Sequence, residues 1–195
     1  MKVMMKRLVH PEEIRSTLST TRGHKPSDKK LSLRLWEYLI RAEHSPIRIV
    51  TYKIRIEEIP YCNAMHIRTH HIGTYCDDAE YYVQSQRTLG EDRAKRYQTE
   101  PVDMEMVLNV QALINHARVR LCNKADATTI KVYRTIKLLL LTSNEVDEYD
   151  RIVGKYMDPK CSWFFCCPEE DRCENPPVRK IHTPRVNLMA FRPKS

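Results

Sequence analysis

The hydrophobic periodicity of the chain changes at Ser45-Pro46, and this change constrains the fold more than any other feature. Before it, four apolar residues recur at helical spacing and predict a helix over residues 29–42. After it, three apolar residues alternate with charged ones, which predicts a strand with one buried face. The chain therefore combines helices with sheet. The residues concerned are Leu31, Leu35, Tyr38 and Leu39, followed by Tyr52, Ile54 and Ile56.

Proline and capping residues delimit the remaining predicted elements. A length of 195 residues suits one domain, predicted over residues 1–156, with a Cys- and Pro-rich tail over 157–195 packed on it. The first half has a strand or loop near Lys2–His10, a helix over Tyr61–His71 after Pro60, and a charged helical or mixed stretch over 80–99. A helix of about twenty residues follows from Pro101 to Asn123. The next helix is capped by Asp126 or Thr128 and ends near Leu141, and a short helix covers Glu145–Tyr156.

The charge and composition narrow the classes of partner. Lys and Arg number 33 against 25 Asp and Glu, a net charge of +8, which favours anionic partners such as nucleotides. The basic residues are scattered, so nucleic-acid binding is not expected. No apolar run approaches the roughly 18 residues of a membrane span. The N-terminal residues lack the apolar segment of a signal peptide, so we expect a cytoplasmic protein. Its seven cysteines are then thiols or metal ligands rather than disulfides.

Three polar residues interrupt the apolar segment that follows Pro101. Asn115 follows Asn109 by six residues, and Arg120 follows Asn115 by five. Such groups are rarely buried unless something pairs with them. The spacing resembles the C-terminal helix of the flavin-dependent thymidylate synthases, in which two Asn and an Arg line the flavin and nucleotide site. Ala125 matches the small residue that follows the Arg in that family. The alternative to a binding site is an ordinary surface helix on which the two amides and the Arg are exposed to solvent.

Two further segments resemble motifs of the same family. Glu43-His44-Ser45-Pro46 is similar to its His-Glu-Ser-Pro segment, although by itself it also fits a helix end with a turn. His66 to His71 falls where the family has Gln-x-x-Arg-His-Arg. His70 matches the central His, whereas His66 replaces the Gln and Thr69 and His71 replace both arginines. The adjacent His70 and His71 cannot share one helix face, which argues against a metal site there.

Three residues between these motifs resemble nucleotide-binding positions of the family. Ser85 and Arg87 match its Ser-x-Arg, with extra residues intervening and Val83 in place of a Glu. Arg93 lies sixteen residues before Asn109, where the family has a phosphate-binding Arg. The alternative to nucleotide binding is that all three are solvated polar residues on the protein surface.

Four cysteines form a possible ligand set. Cys161, Cys167 and Cys173 are spaced six residues apart, and Cys122 follows Arg120 by two. Arg-Leu-Cys and Cys-Pro-Glu segments resemble those of some relatives. Four thiolates would suit a tetrahedral structural zinc, and unpaired buried thiols are the alternative.

The resemblance implies a fold, a reaction and a set of roles. The fold would be α/β, with a mostly antiparallel sheet packed with helices. The chain would come from a virus or a mobile element and act in the cytoplasm, that of the host if it is viral. It would work as a homotetramer that converts dUMP to dTMP with FAD, NADPH and methylenetetrahydrofolate. Arg120 and Ser85 would be catalytic. The substrate residues would be His66, Ser85, Arg87, Arg93 and Arg120, and the flavin residues Ser45, His70, His71, Asn109 and Asn115.

The replaced arginines keep two other functions open. A His supplies neither the fixed fork nor the permanent charge of an Arg. The chain could therefore be a non-catalytic relative that binds a nucleotide or a partner protein. It could also be an enzyme that makes a different modified pyrimidine nucleotide.

Overall fold

A four-stranded sheet and seven α-helices make up the described part of the chain. The computed structural model describes residues 1–23, 29–68, 79–84, 97–164, 167, 169, 170, 172 and 173, with backbone alone at 21, 22, 79–84 and 164. The strands are β1 (Lys2–Arg7), β2 (Thr51–Pro60), β3 (Ala79–Gln84) and β4 (Pro101–Asn109). The helices are α1 (Ile14–Arg22), α2 (Leu33–Arg41), α3 (Tyr61–Arg68), α4 (Val110–Arg120), α5 (Ala127–Thr142), α6 (Glu148–Tyr156) and α7 (Lys160–Phe164), with 3-10 helices at Pro11–Glu13 and Ser45–Ile49.

All pairings between the described strands are antiparallel. The strand order is β1-β2-β4-β3, so the long strands β2 and β4 lie in the centre. In β2, Tyr52, Ile54 and Ile56 are fully buried, whereas Lys53 and Arg55 point to the opposite face. This alternation is that of a sheet with one face on the core. The predicted α/β fold with an antiparallel sheet is confirmed.

The prediction of one helix from Pro101 to Asn123 is wrong. Residues 101–109 form β4, and α4 begins only at Val110. Val102, Met104, Met106 and Leu108 are buried and alternate with more exposed neighbours, which is a strand period of two. Met and Leu favour helices in isolation, but pairing with β2 overrides that preference here.

Other boundaries follow the predicted signals more closely. α3 begins directly after Pro60, and the Asp126 side chain caps α5 by accepting from the Thr129 amide at 3.0 Å. α2 begins at Leu33, later than predicted, and the Ser32 side chain caps it. Two short helices, α1 and α7, lie where no helix was predicted. No helix in the part of the chain described here has the length and apolarity to cross a membrane.

A buried polar network joins the sheet to the helices. Asp150, 3% exposed at the start of α6, accepts hydrogen bonds from Arg7 on β1 at 2.8 Å and from the Tyr52 hydroxyl on β2 at 2.6 Å. Arg7 also binds both carboxylate oxygens of Asp147, at 2.9 Å each. Asp147 and Asp150 form the capping box of α6. The N-terminal turn of α6 is thus fixed to two strands.

The helices pack closely beside this network. The Trp36 indole of α2 is fully buried and donates to the backbone oxygen of Tyr149 at 3.0 Å. α6 approaches α5 at Gly154, where an added Cβ would lie 3.0 Å from atoms of Leu140 and Leu141. Met157, at the start of the predicted tail, is fully buried in the same core.

We predict that Asp147→Asn lowers the free energy of unfolding near neutral pH and that this loss of stability disappears in acid. Burial raises the pKa of Asp147, but hydrogen bonds from Arg7 and from the Asp150 backbone outweigh it and lower the pKa to about 2. The ionised carboxylate therefore stabilises the fold above its unfolded pKa, and the contribution is lost as pH falls towards about 2. With the side chain 40% exposed, solvent screening limits the loss to about 1 kcal/mol.

Urea unfolding at several pH values between neutral and strongly acidic checks this. Asn keeps the capping oxygen, so Asp147→Ala should cost more than Asp147→Asn at every pH. A deficit for Asp147→Asn that does not shrink in acid would contradict the role of charge.

Candidate functional site

The three residues of the motif lie at the start, within and at the end of helix α4. Asn109 is the last residue of β4 and caps α4, its side chain accepting from the Ala112 amide at 2.9 Å. Asn115 lies within the helix, and Arg120 is its last residue. At about 1.5 Å per residue, Asn109 and Arg120 are roughly 16 Å apart along the axis. Asn109 and Arg120 therefore lie at opposite ends of α4.

The junction after α2 adopts an unusual backbone conformation. Glu43 has φ of 51°, in the left-handed region that favours glycine. Its amide donates to the Ile40 oxygen, and the His44 amide to the Leu39 oxygen, which is the Schellman pattern of a helix end. A glutamate here costs about 1 kcal/mol relative to glycine. Such strain persists where the side chain has a compensating partner.

The Glu43 side chain finds that partner on α4. It forms an ion pair with Arg118 and accepts a hydrogen bond from Gln111 Nε2 at 2.9 Å. Gln111 and Arg118 both also donate to Asn115 Oδ1, at 3.2 Å each. Burial raises the pKa of Glu43, but the hydrogen bond and charge of Arg118 outweigh it and lower that pKa. We call Glu43, Gln111, Asn115 and Arg118 the amide network.

One acceptor of the amide network has no partner. Gln111 is 3% exposed, and its Oε1 is buried without a hydrogen bond. Ser45 begins the adjacent 3-10 helix and is exposed. The edge of a flavin ring carries both donors and acceptors. The unpaired Gln111 oxygen, the Asn115 amide and the Ser45 hydroxyl fit that chemistry.

The other end of α4 contacts α3. Arg120 Nη2 donates to the backbone oxygen of His66 at 2.5 Å, so the structure places these two predicted substrate residues together. The His66 side chain is exposed. Arg120 Nε is buried and has no hydrogen-bond partner. α3 is held in turn by Asn63, which donates to Asp126 at the start of α5. A buried guanidinium nitrogen without a partner is suited to an anion.

A cavity of about 550 Å³ opens beside Arg120, and we call it the α4-end cavity. Its volume lies in the range of small-molecule sites. Four cations and two carboxylates, Glu169 and Glu170, line it, so the lining has a net charge of +2 (4 − 2) that favours anions. Arg118 also stacks on Trp163 of α7, its Cζ 4.3 Å from the ring centre. The lining residues are Arg118, Val119, Arg120, Cys122, Asn123, Lys124, Ala125, Pro159, Lys160, Cys161, Cys167, Glu169, Glu170 and Cys173.

The four cysteines of the predicted ligand set line this same cavity. Burial raises the pKa of the Cys161 thiol, and the nearby sulfurs of Cys167, Cys122 and Cys173 raise it further. All five described cysteines are free thiols. Among the residues that the structure describes, no three His, Cys, Asp or Glu side chains stand in an arrangement that could hold a metal ion as it is.

Several predicted site residues lie outside the described residues. These are His70, His71, Ser85, Arg87 and Arg93, so their roles stay predictions. Conversely, the motif resemblance does not include Gln111 and Arg118. The signal available was their helical spacing from Asn115, four residues before it and three after it, which puts all three side chains on one side of α4.

Comparison with known proteins supports the fold. No protein-family model and no curated protein sequence matches this chain. Among solved structures, the crystal structure of a UMP/dUMP methylase, PolB from Streptomyces cacaoi, bound with 5-Br dUMP, matches with a TM-score of 0.56. The match covers 79% of this chain and 95% of that chain at 9% sequence identity. The likeness at this identity is one of fold.

We predict that Glu43→Gly is more stable than Glu43→Ala by about 1 kcal/mol, because only glycine adopts the left-handed backbone conformation without steric strain. Both variants lose the ion pair to Arg118, so the comparison isolates the backbone term. Denaturant unfolding of the two variants measures the difference. Equal stabilities would contradict the strained junction.

Proposed function

We propose that this chain is a nucleotide-methylating enzyme of the flavin-dependent thymidylate synthase type, which converts dUMP to dTMP. The observation that carries the proposal is Arg120. It ends α4, contacts α3 and borders a basic cavity, within a fold shared with a UMP/dUMP methylase. The spacing of Asn109 and Asn115 before Arg120 is a second support.

The surroundings of Arg120 favour binding of a phosphate. One of its nitrogens is fixed by the His66 oxygen, which orients the planar guanidinium. A fixed Arg can bind a phosphate through two parallel hydrogen bonds. Lys124 and Lys160 line the same cavity and add to its positive potential. We therefore assign the nucleotide to the C-terminal end of α4, with Arg120 as its principal ligand and His66 beside it.

The amide network is the proposed contact for FAD. Ser45, Asn115 and the unpaired Gln111 oxygen would bind the polar edge of the ring. The Asn109 oxygen is already used as a helix cap, so its contribution would come through its amide nitrogen. When bound, FAD supplies the electrons for reductive methylation, after reduction by NADPH. Methylenetetrahydrofolate is the proposed carbon donor.

The protein's own part in this chemistry is orientation and charge. Arg120 would hold the nucleotide at one end of α4, and the amide network would hold the cofactor further along the same rigid helix. Fixing two reactants in one frame lowers the entropic barrier to their reaction. Arg118 links the two ends, because it belongs to the amide network and also lines the α4-end cavity.

Other features of the proposal rest on the family resemblance. Ser85, Arg87 and Arg93 would complete the nucleotide site, and His70 and His71 would contact the flavin. A homotetramer with shared sites, a cytoplasmic location and a viral source belong to the same proposal.

A second candidate function is favoured by the altered signature. Thr69 and His71 stand where the family has two arginines, and this removes two permanent charges. A nucleotide-binding protein without catalysis would keep Arg120 but lose flavin. An enzyme acting on a different pyrimidine would keep both, and product analysis would identify it.

We predict that Arg120→Ala weakens dUMP binding by about 10- to 100-fold, the range expected for losing a charged hydrogen-bond pair. Isothermal titration calorimetry of the FAD-supplemented protein with dUMP measures it. Arg134→Ala is the matched control, since Arg134 is an exposed arginine on α5 that does not line the cavity.

The contact between Arg120 and His66 could also serve folding, so thermal unfolding of each variant accompanies the titration. Arg120→Lys should keep the charge and recover only part of the affinity. Unchanged dUMP affinity in a folded Arg120→Ala protein would remove this residue from the site.

A further inference from the structure

We propose that Cys122, Cys161, Cys167 and Cys173 bind one structural Zn²⁺ as four thiolates. Cys122 lies in the turn after α4, Cys161 lies in α7, and the other two follow α7. Thirty-eight residues separate Cys122 from Cys161 in the sequence, yet all four line the α4-end cavity. The fold therefore brings together sulfurs that the sequence keeps apart.

The fifth described cysteine differs from these four. Cys62 lies on α3, and its sulfur donates to the Asn63 side-chain oxygen at 3.5 Å. It does not line the cavity. The gathering of the other four is thus specific to the end of α4. It provides a matched control, because Cys62 is also a free and half-buried thiol.

The electrostatics of the four thiols favour a bound cation. Four thiolates lining one cavity without a cation would repel one another. A divalent cation reverses this balance, because it binds the thiolates and releases their protons to solvent. Zn²⁺ bound by four thiolates carries a net charge of 2−. Of the cations that line the cavity, Lys124 and Lys160 would offset that charge, whereas Arg118 is paired with Glu43 and Arg120 is assigned to the nucleotide.

Soft thiolate ligands select zinc among the common cellular cations, and four of them leave no open position for catalysis. In their present positions, no three of the described His, Cys, Asp or Glu side chains are arranged to hold a metal ion. Binding would therefore require the thiols to turn from the cavity walls towards a common centre. The result would tie the segment after α7 to the end of α4, directly beside Arg120.

Metal analysis and cobalt substitution of the full chain test the site. The protein, purified under reducing conditions, should contain about one zinc per chain. After removal of zinc, titration with Co²⁺ should give thiolate-to-cobalt charge-transfer bands and the intense visible bands of tetrahedral cobalt, saturating at one equivalent. Added Zn²⁺ should displace the cobalt. Neither dUMP nor FAD is present, so the result is independent of the proposed catalytic function.

Substitutions identify the ligands. Cys122→Ser and Cys173→Ser should each weaken Co²⁺ binding at least tenfold and reduce the charge-transfer intensity, whereas Cys62→Ser should leave both unchanged. If a variant fails to fold, protection of four thiols from alkylation by added Zn²⁺ in the wild-type protein serves instead. A reduced, folded protein without zinc, without cobalt bands and with no thiol protected would overturn the proposal and leave four unpaired thiols.

Discussion

The buried carboxylate of Asp150 is the interaction on which much of the structure depends. It receives hydrogen bonds from Arg7 on β1 and Tyr52 on β2, and it forms part of the capping box of α6. Removing Arg7 would leave the buried carboxylate without its cationic partner, which is strongly destabilising. Through this contact the sheet fixes α6, and α6 packs on α2 and α5. α2 ends at the strained junction that contacts α4, and α5 begins where α3 is anchored. The position of the candidate site follows from these attachments.

Helix α4 divides the site into two chemically different parts. Along its length, the amide network holds neutral polar groups and one ion pair, next to an exposed serine hydroxyl. At its end, guanidinium, ammonium and thiol groups surround a cavity. Glu43 occupies a backbone conformation suited to glycine, and its ion pair with Arg118 accounts for a side chain at that position. Arg118 belongs to both parts. A substitution at the junction after α2 can therefore alter the cavity by displacing this one side chain.

The sequence predicts those parts of the fold that local signals specify. The alternation in β2, the helix start after Pro60 and the Asp126 cap are local, and the structure contains all three. The sequence of β4 also favours a helix, because Met and Leu are good helix formers, and its pairing with β2 makes it a strand. The sequence does not indicate the roles of Gln111 and Arg118, because their partner, Glu43, is distant in sequence. The cysteine set could be proposed from spacing, but its convergence on one cavity depends on how α7 packs against the end of α4.

The most direct measurement is the visible absorbance spectrum of the purified protein after addition of FAD and removal of the unbound excess, with and without dUMP. Binding of both ligands along α4 predicts retained flavin whose spectrum shifts when dUMP is added, because the two would share one site. The Arg120→Ala protein should retain flavin but lose the shift. A folded protein that retains no flavin would contradict a flavin-dependent methylase. A dUMP-dependent change in stability without flavin would then identify a nucleotide-binding protein.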